Sequence, residues 1–280
     1  MQIKKFDYDS NYLFPYRWSF PDELPNDVSK VYPLLVEYAG IPEAELEAVL
    51  RQIRDKIWEI SRTPYSGRWK FLRIADPGDG LYQQVLFRLK LSKSQDALLD
   101  LGCGLGQMLR QLRADGVDGS RLFGLDNEPR LIQAGYELFR DKEQFDAMFV
   151  VADLIDPDDT RLRDLRGKVT IVHAASFFHL FTWLQQLYIG KQLVSFLRPG
   201  LRNALIYGRD AGRPSGIPPI EDTGPYIHDE VSFQKLWDEI AFLTGTKWRV
   251  HVETESQLED SFGIQFPIVV MNWFAYQVPL

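Results

Sequence analysis

The run Leu98-Leu99-Asp100-Leu101-Gly102-Cys103-Gly104-Leu105-Gly106 decides how the rest of the chain is read. Its apolar start fits a strand buried on both faces. Gly102, Gly104 and Gly106 then alternate through a turn into a helix expected over residues 105–114. Glycine lets the backbone turn tightly, and with no β-carbon it lets a ligand approach the peptide closely. The helix start adds N–H groups that have no intrahelical partner. A plain strand-to-helix turn would use the same residues, so spacing has to decide. A dinucleotide fingerprint places its third glycine three residues after the second, and Gln107 stands there.

Working outward, apolar runs at 97–101, 122–125, 148–151, 169–172 and 204–207 predict parallel strands. Amphipathic stretches near 129–140, 182–197 and 230–243 predict the helices between them. This alternation specifies an α/β fold with a doubly wound, mostly parallel sheet. Two more strand patterns, 247–253 and 265–278, have no helix between them. They predict a hairpin that raises the count to seven strands and adds an antiparallel edge strand.

Upstream, Leu46, Val49, Leu50, Ile53, Ile57 and Ile60 form one stripe of a helix expected over 42–60. Glu43, Glu47, Arg51, Arg54 and Glu59 fall on its water side. Thr63-Pro64 stops that helix, and another is expected over 81–89. Residues 1–40 hold many aromatics and prolines (Tyr8, Tyr12, Phe14, Tyr16, Trp18, Phe20) without a period. They are expected to wrap over a neighbour, and 208–224 to join them as walls of a hydrophobic pocket. The expected organisation is a cap over 1–90 and an α/β domain over 91–280.

Composition limits the function. The 280 residues are 45% hydrophobic and 25% charged, an ordinary globular balance. That length suits one large α/β domain with an appendage, not two such domains. No apolar run reaches bilayer-spanning length, and residues 1–7 lack the apolar core of a secretion signal. A net charge of −7 with scattered basic residues argues against nucleic acid, whose phosphates need clustered positive charge. A lone cysteine, Cys103, excludes an internal disulfide and a cysteine-rich zinc site. These features point to a reducing, cytoplasmic setting, and no metal-ligand spacing stands out.

Two acids extend the glycine-rich signal. Asp126, followed by Asn127, ends the second predicted strand twenty residues after Gly106. A carboxylate there can accept both hydroxyls of an adenosine ribose, or cap the next helix. Ala152-Asp153-Leu154 follows the third strand. Sites at the carboxyl ends of successive strands are where an open α/β sheet binds its ligand.

Asp100 with Gly102, Gly104 and Gly106 resembles the glycine-rich motif of class I S-adenosylmethionine-dependent methyltransferases. Leu197-Arg198-Pro199-Gly200 resembles the turn before their fifth strand. The resemblance implies S-adenosyl-L-methionine as cofactor. It implies that Asp153 accepts from the adenine amino group while the Leu154 amide meets the ring. A narrower likeness lies in Pro64-Tyr65-Ser66-Gly67-Arg68-Trp69-Lys70-Phe71-Leu72, in residues 135–141, and in Ser176-Phe177-Phe178-His179-Leu180-Phe181. These are similar to the fungal O-methyltransferases of meroterpenoid and related secondary-metabolite pathways. That likeness places Tyr65 at the cofactor and implies a lipophilic small-molecule acceptor. It also suggests a homodimer as another use of the aromatic surface. Ser66 and Leu105 depart from the family pattern, so it does not fix the acceptor.

Four histidines are available. His251 alternates onto a polar strand face and His173 ends the fourth predicted strand, where each fits a structural place. His179 follows that strand among Phe177, Phe178, Phe181 and Trp183, and His228 precedes a predicted helix. These two are the catalytic candidates. A phenol or alcohol acceptor needs its proton removed, which a neutral imidazole can do. A carboxylate acceptor needs only orientation, by His179, Arg209 or Arg213. A histidine packed among aromatics for structure alone is the remaining reading. Two other functions share the fold. A nicotinamide-dependent oxidoreductase fails at Gln107 and lacks a Tyr-x-x-x-Lys pair. A relative that binds the cofactor but catalyses cyclisation or rearrangement, or serves as a partner only, would keep the three acids.

Overall fold

The computed structural model describes residues 21, 23–201, 203–219, 224–255 and 268–280. Seven strands form one sheet: β1 (Leu98–Leu101), β2 (Leu122–Asp126), β3 (Met148–Val151), β4 (Ile171–Ala175), β5 (Leu205–Gly212), β6 (Trp248–Glu255) and β7 (Val269–Gln277). Their order is β3-β2-β1-β4-β5-β7-β6. The pairs β2·β3, β1·β4 and β4·β5 are parallel, while β7 runs antiparallel to β5 and to β6. The fold is therefore the doubly wound, mostly parallel α/β sheet that the alternation predicts. The terminal hairpin differs in one respect. Its antiparallel strand, β7, inserts beside β5 and leaves β6 at the edge.

Two strands sit differently from expectation. β4 starts at Ile171, and Val169 makes only an isolated parallel bridge to Leu197. His173 thus lies within β4, in register with Asp100 and Tyr207. β5 continues past residue 207 because β7 pairs with it from Leu205↔Tyr276 to Gly212↔Val269. A ladder partner keeps Gly208-Arg209-Asp210 extended where the sequence reads as a loop.

The chain divides into two compact units. One holds the described residues up to Asp96 with Cys103–Val151. Its helices are α1 (Leu46–Ile60), α2 (Pro64–Gly67), α3 (Gly80–Lys90), α4 (Gln107–Ala114) and α5 (Pro129–Phe139). Leu46, Leu50, Ile53 and Ile57 are buried on one face of α1, in a core with Leu35, Ile41, Trp69, Phe71 and Leu138. Each such side chain contributes about 1.5–3 kcal/mol on burial. The first turn of the expected helix is a 3₁₀ turn, Glu43–Glu45. Arg54, expected in water, is buried instead: its guanidinium lies 4.3 Å over the Trp69 ring and donates to the Pro21 carbonyl at 2.8 Å. A cation with an aromatic face and a carbonyl to meet tolerates that place.

The same unit buries a second arginine. Arg110 of α4 donates twice to Asp141, at 2.7 and 2.9 Å, and through Nη1 to the Leu105 carbonyl at 2.7 Å. The Tyr38 hydroxyl donates to Asp141 at 2.9 Å, and burial, then the Asp141 charge, pushes that hydroxyl well above its ordinary range. The glycine-rich loop is therefore tied from below to a fully desolvated ion pair, whose loss on one side costs about 3–5 kcal/mol.

The other unit holds Ala97–Gly102 with the described part of Ala152–Leu280. Its helices are α6 (Trp183–Phe196) and α7 (Glu230–Thr244), each opened by a capping box, Thr182 with Gln185 and Asp229 with Ser232. Phe178, Phe233, Trp237 and Trp273 form an aromatic core, with Phe178–Trp237 tilted and the other contacts edge-to-face. Among the described residues no helix is long and apolar enough to cross a membrane.

Candidate active site

The glycine-rich loop is built on left-handed backbone, with φ of +66°, +53° and +68° at Gly102, Gly104 and Gly106. A side chain is strained in that conformation. The Gly104 amide donates to Asp126 Oδ2 at 2.8 Å, and the Glu128 amide to Asp126 Oδ1 at 2.9 Å. The cap of α5 is the Glu128 side chain, which accepts from the Arg130 amide. Asp126 therefore anchors the loop and the turn after β2, and does not cap the helix. Asn127 beside it is exposed.

Tyr65, which the sequence likeness singles out, meets the same loop. Its hydroxyl accepts from the Leu105 amide at 2.8 Å and donates to Gln107 Oε1 at 3.2 Å. Gln107, read from sequence only as a missing glycine, thus has a partner of its own.

In the other unit Asp100 is buried, and its Oδ1 lies 2.7 Å from His173 Nδ1. The ring of Phe177 lies against Gly102, where a β-carbon would come within 2.9 Å of it. Leu154 is buried. Asp153 is half-buried, its Oδ1 accepting from the Ile155 amide at 3.2 Å and its amide donating to Asp159 at 2.9 Å.

His179 is half-buried, and its Nδ1 lies 2.8 Å from Asp210 Oδ1. The same oxygen accepts the Phe177 amide at 2.8 Å, and Oδ2 accepts Trp273 Nε1 at 2.9 Å. Ser176, just before, adopts φ +54° and donates its amide to the Arg209 carbonyl. A non-glycine residue held there stores backbone strain, of the kind that gathers at functional loops. Phe181 lies against Phe177, the rings tilted with centroids 4.9 Å apart, whereas Phe178 points into the core.

His228 has different company. It is buried, with Nε2 2.7 Å from Gln186 Oε1 and Nδ1 3.2 Å from Ser232 Oγ. Burial pulls its pKa from the ordinary 6.5 down to about 3, against the upward pull of Asp210 and Asp229. Trp183 and Tyr226 crowd the ring, at 5.5 and 4.8 Å. Arg213 is buried and paired with Asp229 at 2.8 Å. His251 is exposed on β6 and stacks on Phe274.

The structure thus joins Tyr65, Gly104 and Asp126, joins Asp100 to His173, and joins His179 to Asp210. Asp210 is the residue that sequence reading passed over. Residues 1–20, 22 and 220–223, which fall in the segments expected to wall the acceptor, lie outside the described residues.

Comparison with known proteins gives these groups a context. A meroterpenoid methyltransferase N-terminal domain model matches residues 21–72, and a methyltransferase domain model matches residues 98–200. The O-methyltransferase phiE of a fungal species is 36% identical over 83% of this chain and 77% of its own length. The asnovolin E/chermesin D methyltransferase nvfJ of Aspergillus novofumigatus is 31% identical over 82% of this chain and 83% of its own. The O-methyltransferase atr3 of Stereocaulon alpinum is 30% identical over 82% and 67%. The chain belongs to this family of fungal S-adenosylmethionine-dependent methyltransferases.

Proposed function

We propose that the chain moves the methyl group of S-adenosylmethionine onto an oxygen, hydroxyl or carboxylate, of a lipophilic small molecule of secondary metabolism. The names of the relatives support the chemistry, and the Asp210-held His179 carries the choice of working group. When bound, the cofactor supplies an electrophilic methyl on a sulfonium.

Its holding residues are assigned by the chemistry of their donors and acceptors. Asp126, with Asn127 beside it, takes the ribose hydroxyls, as a carboxylate at the end of the second strand can accept both. Asp153 takes the adenine amino group and the Leu154 amide meets the ring. Asp100, the backbone at Gly102 and Gly104, and Tyr65 take the methionine end. The loop at Gly104 suits such a ligand because left-handed glycine backbone, at φ +53°, exposes peptide groups without side chains of its own, with Tyr65 packed where a β-carbon would stand.

Alignment supplies much of the rate in an in-line displacement. With a hydroxyl acceptor, His179 Nε2 would take the O–H proton, while the cofactor, when bound, would supply the methyl and leave as a neutral thioether. A carboxylate is already ionised, and His179 or Arg209 would orient it, since Arg213 is committed to Asp229. His228, the second catalytic candidate, has both ring nitrogens engaged, so its assigned part is the shape of the aromatic wall.

Residues 1–90 are proposed as the cap of the domain over 91–280, with 1–40 and 208–224 closing the acceptor pocket. A homodimer through the aromatic surface is the alternative use of 1–40. The chain is placed in the cytoplasm, where the buried thiol of Cys103 stays reduced. The test is mass spectrometry of reactions with phenolic and carboxylic terpenoids. Products carrying one added methyl on either class support the reading, and no methylated product from any of them contradicts it.

A further inference from the structure

The geometry points to Asp210 as the positioning residue that sets the proton of His179 on Nδ1 and leaves Nε2 free to take the acceptor's proton. This rests on the reading of His179 as the proton-accepting group.

Asp210 sits near the end of β5, held there by its register opposite Met271 of β7. Its side chain is 1% exposed and meets three donors: the Phe177 amide, Trp273 Nε1 and His179 Nδ1. A carboxylate only accepts, so the bond to Nδ1 requires the proton to be on that atom. The neutral ring then carries its lone pair on Nε2, for which no described residue provides a partner. The Phe177 and Trp273 bonds fix the carboxylate in turn. One ties it to the loop after β4, the other to the neighbouring strand. Rotation of Asp210 away from the imidazole would break both.

Arg213 pairs with Asp229, and burial holds the pKa of the His228 ring well below its ordinary range, at about 3. Arg209 precedes Asp210 on β5, and the side chains in hydrogen-bond contact with Asp210 are those of Trp273 and His179. When Nε2 takes the proton of the acceptor hydroxyl, the imidazolium that forms faces a carboxylate 2.8 Å away. The proton would stay on Nε2 and the acceptor oxygen would carry the methyl in its place, the methyl–sulfur bond breaking with its electron pair left on sulfur, so that the neutral thioether S-adenosylhomocysteine departs.

The experiment is nitrogen-15 NMR of the histidine side chains in the cofactor-free protein, with His179 assigned through His179→Gln, followed by pH–rate profiles of wild type, His179→Gln and Asp210→Asn. The inference expects His179 of wild type to carry its proton on Nδ1 at neutral pH. It expects Asp210→Asn to lower kcat by about 10²-fold and to move the acid limb toward lower pH, with affinity for S-adenosylhomocysteine unchanged. A wild-type His179 protonated on Nε2 overturns it without need of any variant. A lower melting temperature in Asp210→Asn, with the limb unmoved, overturns it as well and leaves Asp210 a structural carboxylate. Full activity in His179→Gln overturns the parent reading, and this inference with it, whatever the NMR shows.

Discussion

A β-carbon placed on Gly104 would stand 2.2 Å from the hydroxyl oxygen of Tyr65 and 2.5 Å from its ring. The loop and the tyrosine therefore constrain one another, and the backbone at φ +53° adds strain to any side chain. Gly104→Ala is expected to cost about 1–3 kcal/mol in stability and at least roughly tenfold in cofactor affinity. Tyr65→Ala made in the same protein should recover part of the loss, because it removes the clash and leaves only the strain. Thermal melts and calorimetric titrations of the two single variants and the double would show it. Strictly additive losses would mean that the two residues do not compete for that space.

Asp126 has a structural duty at Gly104 and Glu128 as well as its proposed duty at the ribose. Asp126→Ala should weaken S-adenosylhomocysteine by about 1–3 kcal/mol, the cost of unpaired polar groups. A ligand lacking the 2′-hydroxyl separates the two duties. Wild type should prefer the intact ribose, and Asp126→Ala should lose that preference. If the variant binds both ligands more weakly but keeps the preference, the carboxylate anchors the loop only.

His228 makes stability depend on pH. Its folded pKa, about 3, lies below the ordinary 6.5 because burial penalises the charged ring. Below pH 6.5 the unfolded chain takes a proton that the folded chain refuses, so stability falls as pH drops toward 3. The loss is roughly 1.4 kcal/mol per pH unit from this group. Urea unfolding at pH 7 and pH 5 should show His228→Asn losing less over that interval than wild type. Equal losses would show that His228 gains its charge within the fold.

Much of this was legible in the sequence, and the exceptions have physical causes. Alternating glycines after an acid, and an acid after the second strand, marked the loop because few residue types satisfy left-handed backbone. The stripe in α1 located a core, since 3.6-residue spacing survives in any surroundings. Arg54 and Arg110 were not legible as buried. A guanidinium on an amphipathic helix reads as solvent-facing until Trp69 or Asp141 is known to lie beneath it. Asp210 was hidden by its neighbours: Gly208 and Arg209 look like a loop, and only pairing with β7, sixty residues on in the sequence, makes them a strand. The cap at Glu128 displaced Asp126 by two positions, a choice that turn geometry makes and spacing does not reveal.

Transfer of a methyl group from the cofactor to an acceptor oxygen can be followed directly by incubating the protein with S-adenosylmethionine labelled at the methyl group and an accepted terpenoid, then locating the label by mass spectrometry and NMR. The intact labelled methyl is expected on an oxygen of the product, together with unlabelled S-adenosylhomocysteine. A product that is cyclised or rearranged with no label, while the labelled cofactor is recovered unchanged, would contradict that transfer.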